Sequence, residues 1–518
     1  MNRKLLIEGL LVFALLVGVL VIIQFSTPNL VDNDGYYHIK MAYLMRTEGI
    51  KPPFSWLPLT ILNSSEFADH HFLYHVLLVP FTFGDLRVGA KWAAVFFPAL
   101  AFMAVWWLLK NQRVPFAALW TIGLVAISEA FIYRMSMPRA QSLSLVVLVL
   151  ALHWMFTGKY RNLIWLSFLY VWLYDAFPLI LILAGLFTFS AWLSEGHIEW
   201  KPLVYTGIGI MAGLLINPYF PANLVFISRH LTPKMTNPTG TSVGNEWFPY
   251  DTTQLMENSG LTLILFLSGV LALGLSGKRM TKQITTSLLV AITFGAMLFQ
   301  SRRFIEYFPP FALIFAALAW SPIMEAWLAG EGAPSGLNST LARLSHRLTG
   351  GGGEHKARYR LLTFLFLVVL MPALWLGIKD SRNSLVDNTK PYQLFAGASQ
   401  WLLIHTQPGE RIFHTDWDDF PRLFFYNTRD TYTIGLDPTY MQLYDADLYD
   451  LWVEVSQGDV DQPSQTILDS FDSRYLVTDL HHGNFTDEAR ADPNMEEVYR
   501  DEYSIVFHIV PETSADNN

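Results

Sequence analysis

The sequence predicts a polytopic α-helical membrane protein of about 11 to 13 spans that carries a C-terminal extracytoplasmic α/β domain. Three observations lead there. Eleven apolar runs approach the roughly 20 residues that about 30 Å of hydrocarbon requires. Only 15% of the 518 residues are charged and 52% are hydrophobic, against roughly 25% charged in soluble domains. The charge is also divided: residues 1–379 hold 27 Lys+Arg and 18 Asp+Glu, whereas residues 380–518 hold 8 and 26. A basic, apolar membrane part (1–379) and an acidic soluble part (380–518) account for that division. No basic surface of the kind that binds nucleic acid is present, so nucleic acid is excluded as a partner. With no cysteine in the chain, disulfides, thiolate metal sites and cysteine nucleophiles are excluded as well.

The expected spans lie near residues 5–25, 88–109, 115–132, 141–157, 163–174, 177–193, 203–217, 260–276, 284–300, 304–320 and 361–378. The first follows Arg3 and Lys4 but lacks a small-x-small cleavage pattern after it, which reads as a retained anchor. Asp175 and Pro178 divide one long run into the fifth and sixth spans. Basic residues gather in alternate short loops: Lys110 and Arg113, Lys159 and Arg161, Lys278 and Arg279, and a cluster from Arg343 and Arg347 to Arg360. The positive-inside rule then puts the N-terminus in the cytoplasm and the tail outside, in a prokaryotic plasma (inner) membrane. Two long outer loops, 26–87 and 218–259, face the same side as the tail. Gly350–Gly353 reads as a flexible cytoplasmic linker. In the tail, helical patterns (Tyr392–His405, Thr439–Val455) alternate with short apolar strands (Arg474–Leu480, Tyr503–Val510).

Candidate chemistry lies on the outer face. The first loop carries Asp32-Asn33-Asp34-Gly35-Tyr36-Tyr37-His38. Carboxylates beside aromatic rings can bind a cation, hold a sugar or take a proton; an Asp-Gly turn with interfacial tyrosines gives the same string. Further on come Asp69, His70, His71 and His75, and on a helix His71 and His75 share one face at a spacing that could hold a metal. The second long loop carries Thr241-Ser242-Val243-Gly244-Asn245-Glu246-Trp247, and the junction before the tenth span carries Arg302 and Arg303. An arginine pair suits a lipid phosphate, although arginines also anchor span ends. The tail adds Asp416, Trp417, Asp418 and Asp419. The run Gly435–Tyr440 reads as a strand-to-helix turn with Thr439 as its cap, without catalysis.

The Asp-Gly-Tyr-Tyr run directly after the first span resembles the first acidic motif of the oligosaccharyltransferase catalytic subunit, of the GT-C superfamily of membrane glycosyltransferases that use polyprenyl-linked sugars. The resemblance covers most of the chain in layout and a few short motifs in residues. It implies that Asp34 is the catalytic carboxylate and a metal ligand, with Glu246 of the loose Ser/Thr-x-Glu-like motif as its partner. Arg302 or Arg303 matches a late-span arginine. Trp417 and Asp418 match the location of the Trp-Trp-Asp-Tyr-Gly motif. On this basis Asp32, Tyr37, His38, Asp69, His70, His71, Trp417, Asp418 and Asp419 are candidate substrate contacts, and Arg139, Arg302 and Arg303 a phosphate clamp. The family's second acidic motif is missing: the loop reads Arg134-Met135-Ser136-Met137-Pro138-Arg139. That departure weakens the case for a divalent cation, Mg or Mn, because Arg139 could neutralise phosphate in its stead.

The implied activity is transfer of a sugar or oligosaccharide from a polyprenyl-phosphate or -diphosphate donor to a protein, lipid or glycan acceptor at the outer face, among membrane lipids. The competing class is a transporter or lipid flippase, for which Asp175 is the one candidate midplane acid. A non-catalytic assembly subunit is the structural alternative. The chain is expected not to read Asn-x-Ser/Thr sequons, since Asp416 and Asp419-Phe420 stand where that motif has its first Trp and its Tyr-Gly end.

Overall fold

The last long helix, Glu354–Asp387, runs straight through the expected domain boundary at 379/380. It belongs to a computed structural model that describes residues 3–236, 244–330 and 354–510. Thr241–Val243, Arg343, Arg347 and Gly350–Gly353 lie outside the described residues.

Among the described residues, seven helices are long and apolar enough to cross a membrane by length and composition: Arg3–Gln24, Leu86–Asn111, Pro178–Glu195, Thr252–Ser276, Lys282–Gln300, Phe308–Ala329 and Arg358–Asp387. Their outer faces stay apolar. Leu10, Leu11 and Ile22 on the first and Val368, Val369 and Trp375 on the last are exposed, as lipid-facing side chains would be. The runs expected at 141–157, 163–174 and 203–217 form apolar helices of 16, 12 and 15 residues. The run expected at 115–132 as one span is instead two seven-residue helices, Ala117–Gly123 and Glu129–Met135. Ser128 accounts for the break. Its Oγ accepts from Phe131 N to cap the second helix and donates to the Asn258 carbonyl, 2.6 Å away.

Neither long loop is irregular throughout. The first forms helices Asp34–Glu48 and Phe72–Leu78, and the second contains helix Ala222–Thr236. The tail folds around a five-stranded sheet of β1 (Arg411–His414), β2 (Thr431–Tyr432), β3 (Tyr475–Asp479), β4 (Met495–Arg500) and β5 (Ser504–Ile509), in the order β2-β1-β3-β5-β4. β1 pairs in parallel with β2 and β3, and β5 antiparallel with β3 and β4. Central β3 and β5 are buried almost throughout, while edge strand β4 exposes Glu496, Glu497 and Arg500, charges that protect an open edge. The helical pattern expected over Thr439–Val455 splits at Asp445, whose carboxylate caps a second helix by accepting from Leu448 N.

The tail is not an independent lobe. Tyr37, Met41, Leu44, Phe54, Trp56 and Leu57 of the first loop share one apolar core with Leu394, Phe395, Phe420, Leu423, Phe424 and Tyr432 of the tail. Backbone bonds cross the same seam: Tyr432 N to Trp56 O at 2.8 Å and Ile61 N to Tyr440 O at 3.1 Å. Arg422 is its polar pin. Only 1% exposed, it donates to Asn33 Oδ1 (2.7 Å), Pro391 O (2.7 Å) and Lys390 O (3.2 Å) and lies over the Tyr36 ring at 4.5 Å. Arg422→Met would leave the buried Asn33 Oδ1 without its donor. Thermal unfolding of the purified variant is expected to show a loss of about 1.5 to 3 kcal/mol, and wild-type stability would show that the seam does not depend on this residue.

Candidate active site

Helix Asp34–Glu48 starts just beyond the first long apolar helix and puts Asp34 in its first turn, where the exposed N–H groups favour a carboxylate. Asn33, the residue before it, accepts from Arg422 and donates to Asp418 Oδ2 at 2.5 Å. The helix start is therefore tied to the tail. Gly35 ties it to the loop after Met135, because a Cβ there would stand 2.2 Å from Pro138 Cγ. That close approach delivers Arg139 to the two aspartates.

Arg139 lies between three carboxylates. Its Nε and Nη2 donate to Asp32, the latter at 2.7 Å; Nη2 lies 2.9 Å from Asp34 Oδ2 and Nη1 3.7 Å from Glu246 Oε2. Glu246 also takes Arg134 Nη1 at 2.7 Å and Arg303 Nη1 at 3.4 Å. Arg134 turns its other side to the buried Glu306 (Nε to Oε1, 2.8 Å). Arg303 bonds the Tyr174 hydroxyl and lies over the Trp247 ring at 4.9 Å. The network encloses a cavity of about 460 Å³.

Most of the expected residues line that cavity: Asp32, Asp34, Tyr37, His38, His70, His71, Arg139, Glu246, Arg303, Trp417 and Asp418. Three do not. Arg302 turns away, donating to Pro249 O at 3.2 Å and lying over Tyr250, because adjacent residues of the 3-10 helix Arg302–Glu306 point about a third of a turn apart. Asp69 sits behind the wall and bonds His75 Nδ1 at 2.7 Å. Asp419 is 0% exposed and neither oxygen has a hydrogen-bond partner among the described residues; burial pushes its carboxyl well up. His71 and His75 do not share an outward face: His71 lines the cavity, while His75 turns in toward Asp69 and His38.

Arg134, Tyr174, Trp247, Asp437 and Tyr440, to which the sequence gave no site role, complete the wall with Asp175, read there only as a midplane acid, and Asp416, named there beside Trp417. Gly435–Tyr440 is thus part of the site, and its helix is capped by Asp437, whose Oδ1 accepts from Thr439 N at 2.9 Å. Arg134 carried a readable signal, since it shares the acid-free loop motif with Arg139.

Three carboxylates around one guanidinium cannot all be balanced by it, and the imbalance falls on Asp34. Burial pushes its carboxyl up to about 8 against the pull of Arg139, with Asp32, Asp418 and Glu246 adding to the rise. Glu246 goes the other way. Burial opposes its charge, but Arg134, Arg303 and Arg139 hold it well below the usual carboxylate range. Burial with Asp32 and Asp416 nearby pushes Asp418 up to about 7. A divalent cation shared by Asp34 and Glu246 would have to displace the Arg139 guanidinium, which already fills the space between them. No group of three or more His, Asp or Glu side chains among the described residues could hold a metal. The residues present do not fit a metal centre.

No protein-family model matches the sequence, and no curated protein matches it significantly. Solved structures do. The apo oligosaccharyltransferase of Archaeoglobus fulgidus matches with a TM-score of 0.64 at 15% identity, over 93% of this chain and 71% of that one. ArnT of Cupriavidus metallidurans, solved bound to undecaprenyl phosphate, matches with 0.57 at 13% identity over 99% of both chains. The chain shares the fold of these structures. A mycobacterial arabinofuranosyltransferase, AftD, matches over 98% of the present chain and 40% of its own, with a TM-score of 0.54 at 13% identity.

The raised pKa has a definite sign. Asp34 holds its proton more tightly in the folded protein than in the unfolded chain, so its contribution to stability is lost as pH rises through about 8. Below that pH the carboxyl is mostly protonated. A carbodiimide, which attacks protonated carboxyls, is expected to label Asp34 at pH 6.5 and progressively less as pH passes 8, read by peptide mass spectrometry. Labelling absent at pH 6.5 and unchanged at pH 9 would contradict the charge balance described.

Proposed function

We propose that the chain is a GT-C-type glycosyltransferase that moves a sugar or oligosaccharide from a polyprenyl-phosphate or -diphosphate donor to an acceptor at the outer membrane face. The observation that carries this reading is one cavity in which the Asp34 carboxyl meets a cluster of arginines, inside a fold shared with enzymes of that chemistry. In its carboxylate form Asp34 takes the proton from the acceptor nucleophile as the nucleophile's lone pair forms the bond to the anomeric carbon. The bond from that carbon to the phosphate oxygen breaks, and the phosphate leaves with the electron pair. A base titrating near working pH is the efficient one. Arg303, held by Trp247 and Tyr174, together with Arg139 and Arg134, stabilises the departing phosphate charge. Arg302 has no part in it. The N-terminus lies in the cytoplasm, and the site, with the tail that closes it, lies outside.

The transporter reading loses its support. Asp175 follows the helix Asn162–Leu173 and lines the same cavity as Asp34 and Arg303, which is what a substrate-site wall requires.

The test is the lipid-linked pool. A deletion strain is expected to accumulate a polyprenyl-linked sugar that the purified wild-type protein consumes in isolated membranes. Asp34→Asn should consume it roughly 100-fold more slowly or worse. Arg303→Ala should weaken donor binding by about 1.5 to 3 kcal/mol, with Arg303→Lys recovering part of it. An unaltered pool in the deletion strain, or wild-type turnover by Asp34→Asn, would overturn the proposal.

A further inference from the structure

Behind the cavity wall lies a hydrogen-bonded line of three side chains that the reaction above does not use. Asp69 Oδ2 is 2.7 Å from His75 Nδ1, and His75 Nε2 is 2.8 Å from His38 Nδ1. Asp69 and His75 are buried, and His38 reaches the cavity. As a carboxylate Asp69 can only accept, so the proton between the first pair sits on His75 Nδ1. In the imidazole tautomer that this bond selects, His75 Nε2 accepts, and the second bond takes the proton on His38 Nδ1. His38 Nε2 is left without a proton, and it has no hydrogen-bond partner among the described residues.

We propose that Asp69 and His75 lock His38 as a permanent hydrogen-bond acceptor whose Nε2 orients the incoming nucleophile toward Asp34. His38 and Asp34 are four residues apart on helix Asp34–Glu48, a spacing that puts both side chains on one face. Both line the cavity. The acceptor substrate must therefore bring an O–H or N–H to two adjacent accepting atoms, one that removes the proton and one that fixes direction. Orientation of this kind contributes to rate without changing the chemistry. His38 touches the substrate, while His75 and Asp69 are positioning residues. Burial, aided by His75, Arg139 and His70, holds His38 well below the usual histidine range, which keeps Nε2 bare at working pH. The aromatic surroundings agree: Tyr74, Tyr37 and His71 pack around the ring at 5.2, 5.4 and 5.0 Å between centroids and fix its plane. The sequence offers His38 and Asp69 as substrate contacts and His75 as one of a metal-spaced pair, but not the line itself, because His38 and His75 are 37 residues apart.

The inference rests on the glycosyl-transfer reading, and the experiment separates the two. Full-length protein labelled with ¹⁵N-histidine is reconstituted in lipid nanodiscs, and the His38 resonances are identified by their loss in His38→Gln. The expected wild-type signature is a proton on Nδ1 and a bare Nε2. Asp69→Asn can donate to His75 Nδ1, which reverses the line and places the proton on His38 Nε2. That variant should melt within about 2 °C of wild type but consume the lipid-linked sugar about 10- to 100-fold more slowly. His38→Gln, which keeps an accepting oxygen near the Nε2 position, should retain more activity than His38→Phe. A proton on Nε2 in the wild type, or wild-type turnover by Asp69→Asn, would overturn the inference. If the tautomer is as expected but wild-type protein consumes no lipid-linked sugar, the transfer reading fails and His38 loses its proposed role with it.

Discussion

The Arg139 guanidinium, set between Asp32, Asp34 and Glu246, is the interaction on which the rest of the site depends. It brings together three segments that are far apart in sequence: the loop after the first apolar helix, the acid-free loop at 134–139, and the second long outer loop. Breaking one partner out of such a partly buried group costs about 3 to 5 kcal/mol, since the remaining charges stay desolvated. Gly35 permits the approach, and Asn33 and Arg422 anchor it to the tail. The charge balance then decides the chemistry. Glu246, with three arginines near it, remains an anion that organises them, while Asp34 is left as the carboxyl able to gain and lose a proton near neutral pH.

The seam between the first loop and the tail explains how the apolar helical part and the sheet-containing tail make one site. Their shared core places Asp416–Asp418 and Leu436–Tyr440 opposite Asp34 and the arginines, so the cavity has no complete wall without the tail. The tail also supplies acids and aromatic faces, whereas the helical part supplies the cations.

Much of this was legible in the sequence, and the reasons are specific. Asp34, Glu246, Arg303 and Trp417 stood out through the resemblance of their short motifs and positions to those of the oligosaccharyltransferase catalytic subunit, and Asp32 as the second acid of the first-loop run. Arg139 was legible as a substitute for missing acids. Adjacent residues were harder, since Arg302 and Arg303 are equivalent in composition and differ only by the turn of a short 3-10 helix. Asp418 and Asp419 differ likewise: one reaches the cavity and bonds Asn33, and the other is buried without a hydrogen-bond partner among the described residues. Asp437 and Tyr440 were hidden because a capped turn has the same local pattern whether or not a cavity lies beside it. The third apolar run broke at Ser128 through a bond to Asn258, a long-range event with no local signature. β1 and β2, at four and two residues, are too short to show alternation.

The central claim is that arginines, not a divalent cation, balance the carboxylates while the sugar is transferred. The direct measurement is consumption of the accumulated polyprenyl-linked sugar in deletion-strain membranes by purified protein freed of metals with EDTA, with and without added Mn²⁺ or Mg²⁺. The account requires equal rates in all three conditions. Loss of turnover in EDTA, restored by either cation, would contradict it and place a metal where Arg139 now sits.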